Sequence, residues 1–389
     1  MGSGQPHSLH GPLHAEAMLD HTHRIAIYLY EPSDGGLDRV AILLANHLAA
    51  QGTGAELWMA RTDGPLASLI APDVTVRQVP AAKLPRGLSM LTQLPALRRM
   101  IGRHRPHILY SAGNQSNLLV ALAVLGTPTQ AVGRISNPIV RPGKRGILAW
   151  LRRKRFQLTA WLSGRTIVMG SSDADLLGHG CPSVHAKVAF LPRPTVTPLL
   201  EQVGRERRPT SPSAVRELLA VGRLVPQKDH RTMFAALAQV KSHDWRLRIA
   251  GQGPLLDYLK QQAADLGIAD RIDFLGFVSD PQALAELYAN AEVLLQSSRW
   301  EGLTATAIEA LACGCRLVIT DCTPNLRDII ADAGQHPMVP VGDAAAFARA
   351  IDWTLSRPAD PDRAREAVRS YGVEAALSQY QALFAEMLR

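Results

Sequence analysis

Short runs of β-branched and apolar residues alternate with helix-spaced stretches twice along this chain, and that alternation leaves few architectures open. Strands that take turns with helices wind into parallel sheets covered on both faces. In the first series the strand candidates are 25–30, 56–60, 74–79, 107–111, 130–134 and 166–170, with helices such as 39–50 and 90–103 between them. A polar, proline-bearing stretch at 201–213 follows, and a second series begins at 217–221, 246–250, 272–275, 292–296 and 316–320. The chain closes on 373–388, where Ala376, Leu377, Tyr380, Leu383, Phe384 and Met387 recur at helical spacing. At 389 residues, two domains of similar size are expected rather than one core. The reading is α/β: a leader over 1–23, doubly wound Rossmann-like domains over 24–205 and 206–370, and a terminal helix over 371–389 that returns to the first domain. In such sheets ligands sit beyond the carboxyl ends of the strands, so function is expected in the loops there.

Composition excludes several classes. A hydrophobic content of 47% supports packed domains rather than disorder. No apolar stretch approaches the roughly 20 residues that a bilayer-crossing helix needs. The leader holds five histidines and no apolar h-region, so it predicts neither a signal peptide nor export, and a cytoplasmic protein is expected. Cys181, Cys313, Cys315 and Cys322 lack the paired spacing of a zinc site and read as reduced thiols, Cys313 within a helix. No Asp-x-Asp motif stands at a strand end, so neither metal nor cofactor is expected. Net charge is 42 − 34 = +8, unevenly spread: between Asp73 and Asp173 there are sixteen Lys or Arg and no acid. The remainder of the chain is therefore 8 − 16 = −8, and the basic stretch should attract polyanions or anionic lipid.

The densest chemical signal is Ser298-Arg-Trp-Glu-Gly-Leu-Thr-Ala-Thr-Ala-Ile-Glu-Ala-Leu-Ala-Cys-Gly314, a strand exit running into a helix. Glu301 precedes that helix and Glu309 lies about one turn and a half inside it. Between them the amides around Thr304, Ala305 and Thr306 form a helix N-terminus, which favours phosphate. Carboxylates accept hydrogen bonds from sugar hydroxyls, so phosphate flanked by two acids suits a nucleotide sugar. A second signal, Val221-Gly-Arg-Leu-Val-Pro-Gln-Lys-Asp229, puts Arg223 and Lys228 at the mouth of the second sheet, where they could meet a diphosphate. Gly251 and Gly253, in Ala250-Gly-Gln-Gly-Pro254, and Gly276, in Phe274-Leu-Gly-Phe-Val278, are expected to let backbone approach a ligand.

Together these segments, in this order and spacing over the last 180 or so residues, resemble the landmarks of the family-four retaining glycosyltransferases of GT-B fold. The resemblance implies two Rossmann-like domains facing a central cleft. It implies Glu309 on the ribose hydroxyls, Glu301 on the donor sugar, and Gly222, Arg223 and Lys228 at the diphosphate. Gly276, Phe277 and Val278 would frame the base, and Gly302 and Leu303 with the three residues after them would line the donor. Where the common family form reads Glu-Gly-Phe-Gly-Leu-Pro, this chain carries Leu303, Thr304, Ala305 and Thr306. In the first half, Asp34-Gly35-Gly36-Leu-Asp-Arg39 resembles the family's first glycine loop, which meets phosphate and acceptor, and a tight turn is an equal reading. Arg134-Ile-Ser136-Asn137 resembles an element of members that act on lipid-linked oligosaccharides. The histidine that many members place near that loop is absent.

No side-chain nucleophile is evident. By resemblance, the departing phosphate would take the acceptor proton on the same face while Arg223 and Lys228 steady its charge. The implied partners are a nucleotide sugar, with UDP-hexoses or UDP-N-acetylhexosamines preferred and GDP-mannose open, and a saccharide or lipid-linked acceptor in surface polysaccharide synthesis. The segment 141–156 adds a further expectation: Lys144, Arg145, Arg152, Arg153, Lys154 and Arg155 stand among Ile147, Leu148, Trp150 and Leu151. It reads equally as a part-buried helix with a solvated basic face or as an interfacial helix on anionic lipid at the inner face of the plasma membrane. Two rivals stay open. A nucleic-acid binder would call for aromatic or glycine-rich elements among the basic residues, and those are sparse. An epimerase of the same fold would act without an acceptor, and a phosphorylase would bring a cofactor-binding lysine and a longer chain.

Overall fold

The computed structural model describes residues 19–389 apart from 34–35, 83–88, 91, 137–138, 140–145, 208–214, 242–243 and 335. Of the candidate residues, Gly35, Asn137, Lys144 and Arg145 lie outside the described residues. The chain forms two compact units, Met1–Arg193 with Glu374–Arg389, and Pro194–Val373.

The first unit holds a seven-stranded sheet of β1 (Arg24–Leu29), β2 (Gly54–Met59), β3 (Thr75–Gln78), β4 (Ile108–Ser111), β5 (Gln130–Arg134), β6 (Arg165–Val168) and β7 (Val188–Phe190). The strands lie side by side as β3-β2-β1-β4-β5-β6-β7, every pair parallel. In the second unit β8 (Val215–Val221), β9 (Asp244–Ala250), β10 (Ile272–Gly276), β11 (Val293–Gln296), β12 (Arg316–Thr320) and β13 (Met338–Val339) lie as β10-β9-β8-β11-β12-β13, again all parallel. Helices on both faces leave the central strands wholly buried: β4, β11 and β12 have no exposed residue. The edge strand β3 reads Thr-Val-Arg-Gln and stays largely exposed. Every expected strand is present to within two residues. The added ones, β7 and β13, run only three and two residues, too short for periodicity to reveal.

The junction between units differs from the expected position near 205. The helix Pro198–Glu206 buries Leu200 and Gly204 against the second unit, where an ideal Cβ on Gly204 would lie 2.2 Å from the Ala312 carbonyl. The Tyr371 carbonyl accepts both Thr195 N–H and Val196 N–H at 2.9 Å, so the far end of that unit runs past 370 as well. The helix Val373–Met387 covers the first unit's sheet as expected: Tyr380 and Phe384 stand 6.1 and 6.0 Å from the Tyr110 ring on β4. Burying a side chain of this size contributes about 1.5–3 kcal/mol, so Leu377, Tyr380, Leu383 and Phe384 suffice to hold the helix. Cys313 caps the helix Ala305–Ala312 rather than lying inside it, and all four cysteines are free.

In both sheets the winding direction reverses once, between β1 and β4 and between β8 and β11. Those two switch points are where a ligand can enter between diverging connections.

His336, just before β13, is buried with Nδ1 accepting the Leu317 N–H at 3.0 Å and Nε2 donating to the Ala333 carbonyl at 3.2 Å. Burial of this neutral imidazole holds its pKa down to about 4. The unfolded chain takes up the same proton near the ordinary histidine value of 6.5, so this contribution is complete above that pH and is lost as pH falls through about 4. The loss amounts to about 3 kcal/mol at the acid limit. Urea midpoints measured against pH should fall less steeply for His336→Gln, whose amide can keep both hydrogen bonds; parallel curves for the two proteins would contradict the assignment.

Candidate functional site

At the β8/β11 switch point two loops are tied together by charge. The Lys228 ammonium donates to Glu301 Oε1 at 2.8 Å, with 16% and 12% of the two side chains exposed, and Ser298 Oγ donates to the same oxygen at 2.8 Å. Beside it Arg299 Nε meets Asp229 Oδ2 at 3.0 Å. The Arg299 N–H donates to the Gln227 carbonyl at 2.8 Å, and Gln227 Nε2 donates to the Trp300 carbonyl at 2.9 Å. Ser297 Oγ contacts the carbonyls of Lys228 and Asp229, both at 2.9 Å. Asp229 holds φ +47, a left-handed conformation that Asp adopts more readily than most residues. Two residues expected on different parts of a ligand, Lys228 and Glu301, are thus direct partners, and the ammonium keeps two further N–H donors. Arg223, by contrast, is exposed, and its guanidinium makes no hydrogen bond or ion pair among the described residues.

The helix Ala305–Ala312 starts immediately after this pair. Its N-cap residue, Thr304, does not cap: its hydroxyl donates to Gln296 Oε1 at 2.7 Å and meets the Thr306 hydroxyl at 2.8 Å. The first-turn amides are therefore left without a side-chain acceptor, and the positive end of the helix is open. Gly302 is anchored from behind, its carbonyl accepting Thr323 Oγ1 at 2.7 Å, and Leu303 is buried. One turn on, Glu309 Oε2 accepts the Tyr288 hydroxyl at 2.7 Å. Burial, reinforced by the Glu309 carboxylate, pushes the Tyr288 pKa well above its usual value, so it remains a donor. His230 stands next to the loop; burial, then the Lys228 ammonium, hold its pKa down to about 4, so it adds no charge near neutrality. Burial, then Glu301, push the Cys322 thiol up to about 12. Among the described residues no three His, Cys, Asp or Glu side chains converge as a metal site would need.

The glycines after β9 face neighbouring strand-end backbone. An ideal Cβ on Gly251 would lie 1.9 Å from the Gly222 carbonyl oxygen, and one on Gly253 would lie 2.4 Å from that of Leu224. They let strand-end backbones close on one another, which aligns the loop that carries Lys228. Gly276 has open space beside it; Phe277 is exposed and Val278 half-buried.

In the first unit, the β1/β4 switch point holds a cavity of about 330 Å³ whose wall includes Tyr28, Ser33, Gly36, Asp38, Gly113 and Asn114. Gly36 opens the helix Gly36–Ala50, and a Cβ there would meet the Arg193 guanidinium at 1.9 Å. Arg193, which sequence reasoning passed over, thus sits against the start of that helix; Arg39 is exposed on its first turn. Ser136 reaches the cavity wall through its N–H, which donates to Asn114 Oδ1 at 3.0 Å. Arg134 does not. Its side chain has no exposed surface and lies 5.8 Å over the Tyr380 ring, while its carbonyl accepts Asn117 Nδ2 at 2.9 Å. Alternation along β5 turns it under the terminal helix, away from the loop where an acceptor contact was expected.

The basic segment also departs from expectation. On the helix Ile147–Leu162 Arg152 turns inward, its Nε donating to the Ile139 carbonyl at 2.7 Å, and Arg153 is half-buried, so of the described candidates only Lys154 and Arg155 are exposed.

The profile described as "Glycosyl transferases group 1" matches residues 205–371, and that of a "Glycosyl transferase 4-like domain" matches 35–193. This chain belongs to the group 1, family-four glycosyltransferases. The glycosyltransferase is 28% identical over 171 residues to the N-acetylgalactosamine-N,N'-diacetylbacillosaminyl-diphospho-undecaprenol 4-alpha-N-acetylgalactosaminyltransferase of Campylobacter jejuni, covering 44% of this chain and 45% of that one. It is 36% identical over 143 residues to a GDP-mannose-dependent alpha-(1-6)-phosphatidylinositol dimannoside mannosyltransferase of Mycobacterium tuberculosis, covering 36% of each. The chain thus matches less than half the length of these relatives. A sucrose-phosphate synthase structure from Thermosynechococcus elongatus superposes with a TM-score of 0.75 at 21% identity, over 94% of this chain and 99% of that one. That likeness shows the GT-B fold. In this glycosyltransferase the group 1 match contains the whole Lys228–Glu301–Glu309 assembly, and the 4-like match contains Gly36, Asp38, Gly113 and Asn114 of the β1/β4 cavity wall.

Tyr288 had no signal in the sequence, because a tyrosine in a helix 21 residues before Glu309 reads as core. Tyr288→Phe keeps the shape and deletes the donor to a carboxylate, so chemical denaturation should show about 1.5 kcal/mol lower stability. An unchanged denaturation midpoint would mean that Glu309 does not depend on this hydroxyl.

Proposed function

We propose that this glycosyltransferase moves a hexosyl or N-acetylhexosaminyl group, with retention of configuration and without a metal, from a UDP-sugar to a lipid-linked saccharide in surface polysaccharide synthesis. The observation that carries the reading is the Lys228–Glu301 pair beside the uncapped start of the helix Ala305–Ala312. An ammonium with donors to spare, open amides and two carboxylates within a few residues offer complementary groups for a pyrophosphate and for sugar hydroxyls. Relatives named for a diphospho-undecaprenol substrate and for a phosphatidylinositol dimannoside support a lipid-linked acceptor. The second of these is named GDP-mannose-dependent, which makes the base of the donor the first question for experiment.

In this reading Glu309, oriented by Tyr288, takes the ribose hydroxyls, and Glu301 takes a hydroxyl of the donor sugar. Lys228 and the exposed Arg223 meet the diphosphate. As the bond from the anomeric carbon to the phosphate oxygen breaks, that oxygen accepts the proton of the acceptor hydroxyl, which attacks the same face. Positioning and charge stabilisation carry the rate, so no side-chain nucleophile is needed.

A thermal-shift panel of UDP-, GDP- and ADP-sugars should show the largest upward shift with UDP-sugars, because a ligand bound only by the folded state raises its melting temperature. Glu309→Ala should weaken nucleotide binding about tenfold. Glu301→Ala should lower kcat more than it weakens nucleotide binding, and turnover should survive EDTA. Unchanged kinetics in both variants, or activity lost to EDTA and restored by Mg2+, would defeat this reading.

A further inference from the structure

On the helix Ile147–Leu162 the amphipathic pattern is turned inside out. Ile147, Leu148, Trp150, Leu151, Leu158 and Trp161 are 46–77% exposed, while Phe156, Gln157, Thr159 and Ala160 on the other side are buried in the first unit. At about 100° per residue the six exposed apolar positions, with Lys154 and Arg155 among them, share a single arc of roughly 160°. The Lys154 ammonium lies 6.0 Å over the Trp150 ring, so cation and aromatic form one surface. A continuous patch of this kind on a soluble face marks an interaction site.

We propose that this face lies on an anionic lipid bilayer, parallel to its plane, with the apolar side chains in the headgroup boundary and Lys154 and Arg155 among lipid phosphates. Three observations select that occupant. At 16 residues the helix spans about 24 Å, and no helix among the described residues is long and apolar enough to cross a membrane, so it fits a surface rather than a span. Two tryptophans beside branched aliphatics match what seats an interfacial helix. The helix also carries four cations, Arg152 to Arg155, and no acid. A second copy docked on this face would oppose like charges with no carboxylate to meet them, whereas anionic headgroups neutralise both exposed cations. Arg152 and Arg153 turn inward, so insertion rests on the apolar arc with two charges in support.

Binding is read without donor or acceptor, so its failure leaves the transfer reading above untouched. The full chain is mixed with vesicles of phosphatidylcholine alone, or of phosphatidylcholine with phosphatidylglycerol, and followed by co-sedimentation and tryptophan emission. Partition into the anionic vesicles should be about thirtyfold stronger, as two interfacial cations imply, with emission shifted to the blue. Leu151→Ser with Leu158→Ser should weaken partition at least about tenfold. Both positions are half-exposed, so the melting temperature should not move. Lys154→Glu with Arg155→Glu should abolish the preference for anionic vesicles. Equal partition of the wild type into both vesicles, wild-type partition by the serine variant, or a lipid-free dimer that the serine variant dissolves would overturn the proposal.

Discussion

The contact between the Lys228 ammonium and the Glu301 carboxylate closes the mouth of the second sheet, and the candidate site depends on it. Both charges are largely out of water, where each alone would be costly, and each makes the other tolerable. The pair forms only because β8 and β11 are neighbours across the point where the sheet reverses direction. That placement brings residues 73 positions apart to 2.8 Å. Strand-end backbone stands behind it: the Cβ-free approach of Gly251 to Gly222 sets where the Lys228 loop begins, and Thr320 Oγ1, donating to the Ser298 carbonyl at 2.6 Å, sets where the Glu301 loop begins.

Around that contact the polar groups are arranged so that donors outnumber acceptors toward the helix start. Thr304, the residue best placed to cap the helix, spends its hydroxyl on Gln296, and Thr306 does the same at 3.2 Å. A capped helix would have satisfied its own amides; this one leaves them for something negative. Glu309, one turn deeper, is held by a tyrosine kept protonated by burial. The same economy of placement governs the first unit, where Arg193 rather than a Cβ occupies the space beside Gly36.

The outward apolar arc of the helix Ile147–Leu162 follows from a division of labour on its other side. Phe156 and Ala160 join the cluster formed with Ile135, Ile139, Val168 and Leu177, and Gln157 donates to the carbonyls of Leu177 and His179 at 3.0 and 3.1 Å. Four buried positions anchor the helix, and Ile147, Leu148, Trp150, Leu151, Leu158 and Trp161 stay exposed on its other side.

Sequence alone was enough for the parallel α/β class, for each strand longer than three residues and for the return of the terminal helix, because buried central strands must be apolar runs and amphipathic helices repeat near 3.6 residues. It also singled out Glu301, Glu309, Arg223 and Lys228, since acids and bases at strand exits stand out against apolar strands. Only the tertiary structure decided which of them touch. Lys228 pairs with Glu301 and Glu309 with Tyr288, while Arg223 stays exposed, because these contacts join segments from different crossovers. It also moved the junction between units to Arg193, hid Arg134 beneath the terminal helix and turned Leu151, Leu158 and Trp161 outward. A one-dimensional pattern tells which residues share a face. Which face meets the core depends on what the rest of the chain brings alongside, and that is a property of the folded molecule.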